Sequence, residues 1–198
     1  WLEKSKYKSD INFIFGDIRD YDSVSKSIKG CEIVFHLAAL IGIPYSYFSA
    51  LAYLKTNVEG TFNILEASKN HGTDEIIITS TSETYGTAKY VPIDEKHQLS
   101  AQSPYSASKI SADHLALSYW NSFRLPVKII RPFNTYGPRQ SSRAVIPSII
   151  IQALNSKNEI ELGNIEPTRD FTFVSDTCKA YLEILKTKSF FGKVINVG

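Results

Sequence analysis

The sequence lacks most of what would mark a membrane, metal-binding or secreted protein. Its apolar runs are short and interrupted, and none is long enough to span a bilayer. No basic stretch followed by an apolar core opens the chain, so no secretory signal is read. Only two cysteines occur, Cys31 and Cys178, far apart and at no metal-ligand spacing. Free, buried thiols and a cytoplasmic home are the expectation. The four histidines, His36, His71, His97 and His114, form no ligand cluster, so no metal is predicted. Neither sign of charge dominates. A net charge of +2, without a long Lys/Arg run, gives no electrostatic basis for binding nucleic acid or an anionic membrane. What remains is an ordinary globular composition, 43% hydrophobic and 21% charged over 198 residues. That length suffices for one core, or for one domain and part of another.

Short β-branched runs alternate with amphipathic stretches. Strands are predicted at Ile11–Phe15 (ended by Gly16), Glu32–Leu37, Glu75–Thr79, Val127–Arg131, Glu159–Leu162 and Val194–Val197. The Glu32–Leu37 run is apolar enough to be expected buried on both faces. Helices are predicted at Tyr21–Lys29, Thr56–Asn70, Ser106–Phe123, Ile146–Asn155 and Phe173–Lys186. Val58, Phe62 and Leu65 form the stripe of the second, His71-Gly72 its stop, and Ser103-Pro104 the entry to the third. Strand–helix–strand repetition predicts an α/β fold: a Rossmann-like, doubly wound parallel sheet. Residues 1–135 are read as its first part. The looser, proline-dotted stretch 136–168 is read as the start of a small substrate-binding lobe, and 169–198 as the return to the sheet. Ligands in such sheets sit at the carboxyl ends of strands. Asp17, Ala38-Ala39, Thr81–Glu83 and Asn134 all fall there.

One part of that fold is missing. A dinucleotide site needs a glycine-rich turn that opens a helix, so that backbone N–H groups meet the pyrophosphate. The ten glycines form no such cluster. The simplest expectation is a fragment lacking the N-terminal glycine-rich unit and the C-terminal end. The alternative is a complete protein that binds no dinucleotide.

Two segments carry chemistry. Tyr105 and Lys109 lie four apart on a predicted helix and so share one face. An ammonium beside a phenol favours the phenolate, and is expected to lower its pKa from ~10. Thr81, Ser82 and Glu83 follow an apolar strand. Thr81 is suited to hydrogen-bond the hydroxyl that Tyr105 deprotonates, and Glu83 is a candidate general base.

The ordered segments Asp17-Ile18, His36-Leu-Ala-Ala39, Thr56-Asn57-Val58, Thr79-Ser-Thr-Ser-Glu83, Tyr105-Ser-Ala-Ser-Lys109, Arg131-Pro-Phe-Asn-Thr-Tyr-Gly-Pro-Arg139 and Arg169-Asp-Phe171 carry a resemblance. The chain resembles, over essentially its whole length, the extended short-chain dehydrogenase/reductases that epimerise or dehydrate nucleotide sugars with NAD. It is most similar to the sugar 4,6-dehydratases of legionaminic-acid-type pathways, which serve surface polysaccharide biosynthesis. The resemblance implies roles. Asp17 and Ile18 line the adenine. Leu37, Ala38, Ala39, Ser80 and Pro132 pack on the NAD, with Asn57 close by. Tyr105 is the base and Lys109 its electrostatic partner and ribose anchor. Asn134 holds the substrate's phosphate region, with Arg143 and Arg169 as candidate diphosphate clamps. It also implies a nucleotide-linked N-acetylglucosamine substrate and a homodimer built on helices 56–70 and 106–123; Phe62, Leu115 and Trp120 on their apolar faces fit that use, and a plain core role fits them nearly as well.

Ser82 departs from the pattern. The deoxythymidine-glucose dehydratases carry Asp there, as the acid for the departing hydroxyl. A Ser-Glu pair also occurs in nucleotide-glucuronate decarboxylases. A 4-epimerase, a decarboxylase and a catalytically silent NAD-binding protein therefore stay open as alternatives.

Overall fold

The structure, a computed structural model, describes residues 4–155 and 159–198. Its centre is a pair of strands too apolar to face water. β2 (Glu75–Thr79) and β3 (Val127–Pro132) run parallel, with Ile76 opposite Val127 and Ile78 opposite Ile129. Side chains alternate along a strand, so an unbroken Ile-Ile-Ile run supplies both faces. Ile76 and Ile78 pack with α1 (Tyr21–Ile28), α4 (Gly60–His71) and α5 (Pro104–Phe123) on one side of the sheet. Ile77 packs with α7 (Val174–Leu185) on the other. β1 (Ile33–His36) and β6 (Val194–Val197) complete a four-stranded sheet in the order β1-β2-β3-β6, every pair parallel. Each parallel pair needs a crossover. Between β1 and β2 the chain makes α2 (Ile43–Phe48), α3 (Ala50–Tyr53), a π-helical stretch at Leu54–Glu59, and α4.

The local signals explain most boundaries. Asp20 caps α1 by accepting from the Asp22 N–H. Ser103 caps α5 by accepting from Ser106, and Pro104 occupies the first turn. Gly72 closes α4 at φ 68°, a conformation that costs glycine little. Gly192, at φ 69°, lies so close to Trp120 that a Cβ there would stand 2.0 Å from the indole.

A second pairing lies outside the sheet. β4 (Asn134–Tyr136) runs parallel to β5 (Phe171–Phe173). The stretch between them carries α6 (Val145–Leu154) and irregular segments.

Several expectations fail for identifiable reasons. Residues 11–15 form no strand: the Ile11 N–H turns back onto the Lys8 carbonyl (3.3 Å), no strand pairs with the segment among the described residues, and Phe15 is 98% exposed. β1 is an edge strand, and Ile33 and Phe35 are substantially exposed rather than buried on both faces. Glu159–Leu162 forms no strand, because the Gln152 side chain of α6 pairs with both backbone groups of Glu161 (2.8 and 3.0 Å). Leu65 is fully buried on α4, but Phe62 of the same stripe is 42% exposed. Trp120 is partly buried and packs against the core and on Phe191, the core role being one of the two open to it. Both cysteines are free, yet exposed. Cys178 sits just off the α7 stripe of Thr177, Tyr181 and Ile184 that faces the sheet, so helix phase overrides the thiol's tendency to be buried. Among the described residues no helix is long and apolar enough to cross a membrane, and no three His, Cys, Asp or Glu side chains gather as a metal site.

The end of the sheet away from the strand carboxyl termini is tied by a buried cation. The Lys128 ammonium donates to Glu75 Oε1 (2.6 Å) and to the carbonyls of Ile184 (2.8 Å) and Leu185 (3.2 Å) at the end of α7. Removing one partner of a buried pair strands the other charge. Glu75→Ala should therefore cost about 3–5 kcal/mol in urea unfolding, and Glu75→Leu combined with Lys128→Met much less.

Candidate active site

Three side chains, one turn apart, form a ladder on α5. Tyr105, Lys109 and Asp113 are all buried, at 6%, 3% and 1% exposure. The face they share meets the carboxyl end of β2. Tyr105 hydrogen-bonds to Thr81. Lys109 donates to the Thr79 carbonyl (2.6 Å). Asp113 accepts from the Ser80 hydroxyl (2.8 Å).

The turn after β2 is locked to the same helix. Ser82 and Glu83 lie on a 3-10 turn, Ser82–Thr84, and both are half-buried. The Glu83 N–H donates to Thr81 Oγ1 (3.2 Å), and Ser106 Oγ donates to the Glu83 carbonyl (2.7 Å). Thr81 thus touches both Tyr105 and Glu83, and the residue after Tyr105 holds the backbone of Glu83.

The electrostatics correct one expectation. The Tyr105 phenol is pushed up to about 12. Burial is the main cause; the Thr81 hydrogen bond pulls it down, while Glu83, Tyr53 and Asp113 push it up. The phenol is therefore protonated at neutral pH, and Lys109 has turned onto a carbonyl rather than stabilising a phenolate. Lys109 itself is lowered by burial and raised by Asp113. Asp113 is raised by burial, against the pull of Arg131, Ser80 and Lys109.

The remaining predicted residues divide into two groups. Leu37 and Ala38 are exposed and Ala39 half-buried, on the loop leaving β1. Asn57, buried in the π-helical stretch, pins this loop: its amide accepts from Leu40 N–H (2.8 Å) and donates to Leu40 O (2.9 Å) and Ser108 Oγ (2.9 Å). Asn57 has no free donor and acts through the loop. Ser80 likewise spends its hydroxyl on Asp113. Asp17 is exposed, held near pKa 2 chiefly by hydrogen bonds from Arg19. Ile18 packs against Gly60 at the start of α4. Pro132 ends β3 and Asn134 begins β4, its N–H donating to Asp170 O (3.0 Å). Arg143 and Arg169 are exposed, and no contact joins either to Tyr105, Glu83 or the other among the described residues.

Sequence reasoning missed a buried chain behind the ladder. Arg131 forks onto Asp113 Oδ2 (3.0 and 2.9 Å) and donates to Tyr85 OH (3.0 Å), which donates to Asn196 Oδ1 (2.7 Å). Asp113, four beyond Lys109, was the available signal. Also missed was Tyr53, whose hydroxyl holds Gly42 O (2.5 Å) and whose ring meets Tyr105 edge-on at 6.1 Å.

With the geometry in hand, comparison with known proteins is direct. A family model described as GDP-mannose 4,6 dehydratase matches residues 1–198. The chain is 34% identical to a dTDP-D-glucose 4,6-dehydratase of Dictyostelium discoideum, over 100% of this chain and 51% of the relative. Its structure superposes on the dTDP-glucose 4,6-dehydratase of Streptomyces venezuelae crystallised with NAD (TM-score 0.91, 28% identity, 100% of this chain and 61% of that one). It superposes equally on a UDP-glucuronic acid 4-epimerase of Bacillus cereus with UDP-glucuronic acid and NAD (TM-score 0.89, 34% identity, 100% and 62%). The chain thus spans about half to three-fifths of the length of these relatives.

His36 supplies a test that needs no ligand. Its Nε2 meets Thr61 Oγ1 (3.0 Å), and burial, with Lys109 nearby, depresses it from 6.5 to about 3. Between these values the unfolded chain binds the extra proton, so stability rises with pH there. His36 should cost nothing above about pH 6.5 and destabilise progressively as pH falls towards 3, by at most ~1.4 kcal/mol per pH unit. His36→Gln should flatten that part of a stability–pH curve measured by denaturant titration.

Proposed function

The chain belongs to the GDP-mannose 4,6-dehydratase family, the NAD-dependent dehydratases and epimerases of nucleotide sugars, and from that membership we propose that it serves a nucleotide-sugar 4,6-dehydratase. The substrate class is a nucleotide-linked N-acetylglucosamine, and the product a 4-keto-6-deoxy sugar. The observation that carries this reading is Glu83, whose carboxylate is near enough to the Tyr105 phenol to push it up, on a turn held by Thr81 and Ser106. An epimerase uses the phenol alone. Elimination also needs a carboxylate beside it.

The residues suit the cofactor: Tyr105 and Lys109 would hold its nicotinamide end, the small Ala38 and Ala39 lie on the loop that Asn57 pins, and Asp17 and Ile18 would serve the adenine. NAD, when bound, would supply reversible hydride storage: hydride taken from C4 and, once water has left, returned to C6 with a proton to C5, which gives the 4-keto-6-deoxy sugar. The cofactor's positive charge would also favour the ionised form of Tyr105. Tyr105 then takes the proton of the 4-hydroxyl, with Thr81 orienting that hydroxyl. The C4 ketone acidifies the C5 hydrogen, which Glu83 removes, and the C6 hydroxyl leaves as water. Ser82 is a weak acid, so Glu83 returns the proton to the departing hydroxyl, directly or through a water at Ser82.

Residues 1–135 and 169–198 form the cofactor part, and 136–168 begin the sugar lobe. Asn134, Arg143 and Arg169 are assigned to the diphosphate. A cleft of about 370 Å³ lies between β4, β5 and α6, lined by Tyr136, Gln140, Ile150 and Phe173. The second reading, a 4-epimerase, is favoured by Ser82 and by the likeness to the Bacillus cereus enzyme.

Product mass decides between them. The full-length protein with NAD should remove water from one member of a panel of nucleotide hexoses, N-acetylhexosamines and uronates. A C4 epimer of unchanged mass would establish the epimerase, and loss of carbon dioxide a decarboxylase. Tyr105→Phe should lower turnover at least ~10²-fold. Glu83→Gln should oxidise C4 but stop there, leaving the reduced cofactor visible by its absorbance.

The protein is further proposed to be a homodimer. Leu54 is 49% exposed beside Val58, Phe62 and Leu115, an apolar groove on the π-helical stretch, α4 and α5. Sedimentation should give twice the monomer mass, and Leu54→Glu the monomer.

A further inference from the structure

The carboxyl end of the sheet buries more positive charge than negative. Lys109 and Arg131 are cations at 3% exposure each, and Asp113, at 1%, is the buried carboxylate beside them. His36, facing the same space from β1, is neutral near pH 7. Glu83 on the turn after β2 is only half-buried. Tyr105 on α5 and Tyr53 on α3 are protonated phenols, both raised by burial. One fully buried carboxylate thus serves two buried cations.

We propose that Asp113 is a positioning residue of the reaction: paired with Arg131 and bonded to Ser80, its carboxylate lies one helical turn from Lys109 and keeps that ammonium charged on the face it shares with Tyr105. This rests on Tyr105 being the base. The geometry is specific. Asp113 Oδ2 takes both the Arg131 fork and the Ser80 hydroxyl. Oδ1 is buried with no hydrogen-bond partner. One oxygen is therefore saturated, and the other is left to act by charge on the ammonium one turn away. Ser80 sits between Thr79, whose carbonyl holds Lys109, and Thr81, which holds Tyr105. The carboxylate thereby fixes the strand end that both partners of the ladder touch.

The two cations respond differently when the carboxylate loses its charge. A guanidinium does not release its proton in a protein, whereas a buried ammonium does so readily. Without Asp113, Lys109 is the group that gives way. A neutral amine no longer supports a phenolate at Tyr105.

The test is the charge state of Lys109, read by NMR in protein labelled at the lysine ε-carbon and assigned with Lys109→Arg. In the unsubstituted full chain, Lys109 should remain an ammonium at neutral pH. Asp113→Asn should move its titration down by about two units or more. Arg131→Gln, which removes the competing cation, should leave it in place or move it up, and keeps the test available if Asp113→Asn does not fold. A neutral Lys109 in the unsubstituted protein, an unmoved titration in Asp113→Asn, or a fall in Arg131→Gln would each overturn the proposal. The titration needs no substrate. Its failure sinks the role of Asp113 alone, whereas an active Tyr105→Phe enzyme sinks the reading beneath it.

Discussion

The ion pair between Asp113 on α5 and Arg131 on β3 is the constraint on which the site depends. It is buried, charge-assisted and forked. Buried pairs of this kind contribute little net stability, because desolvation offsets the attraction. Their effect is on geometry. A helix can slide or rotate on an apolar sheet at modest cost, but not if doing so strands a guanidinium. The pair therefore fixes the height and phase of α5 against β2 and β3, and with them every side chain that α5 presents at the strand ends.

Around that fixed helix the loops are held by side chains that imitate backbone. Asn57 offers one amide to both main-chain groups of Leu40, as a neighbouring strand would, and reaches on to Ser108. Ser106 holds the carbonyl of Glu83. The loop after β1 and the turn after β2 are thus both referred to α5, on either side of Tyr105. The π-helical stretch gives Asn57 its place; such bulges recur at functional sites.

Much of this was legible in the sequence where the physics is local or doubly buried. The Ile76–Ile78 and Ile129–Ile130 runs read as strands because both faces are covered. Ser103-Pro104 and His71-Gly72 read as helix ends because capping is a property of neighbouring residues. Tyr105 and Lys109 read as a pair because helix period alone aligns them. The failures are non-local. Whether residues 11–15 or 159–162 are strands depends on a partner, and Gln152 took that place for Glu161. Arg131 looked like a residue at the end of an apolar strand, and nothing near it in sequence announced Asp113 eighteen positions earlier. The upward shift of Tyr105 followed from burial, which spacing does not encode.

The open side of β1 has a practical meaning. Ile33, Phe35 and Leu37 are exposed there, and Phe13, Ile14 and Phe15 are exposed apolar residues outside any strand. A sheet edge with free backbone groups and a sticky face is a template for adding another strand. The β1 side, and not the packed β2–β3 centre, is therefore where this sheet can be extended.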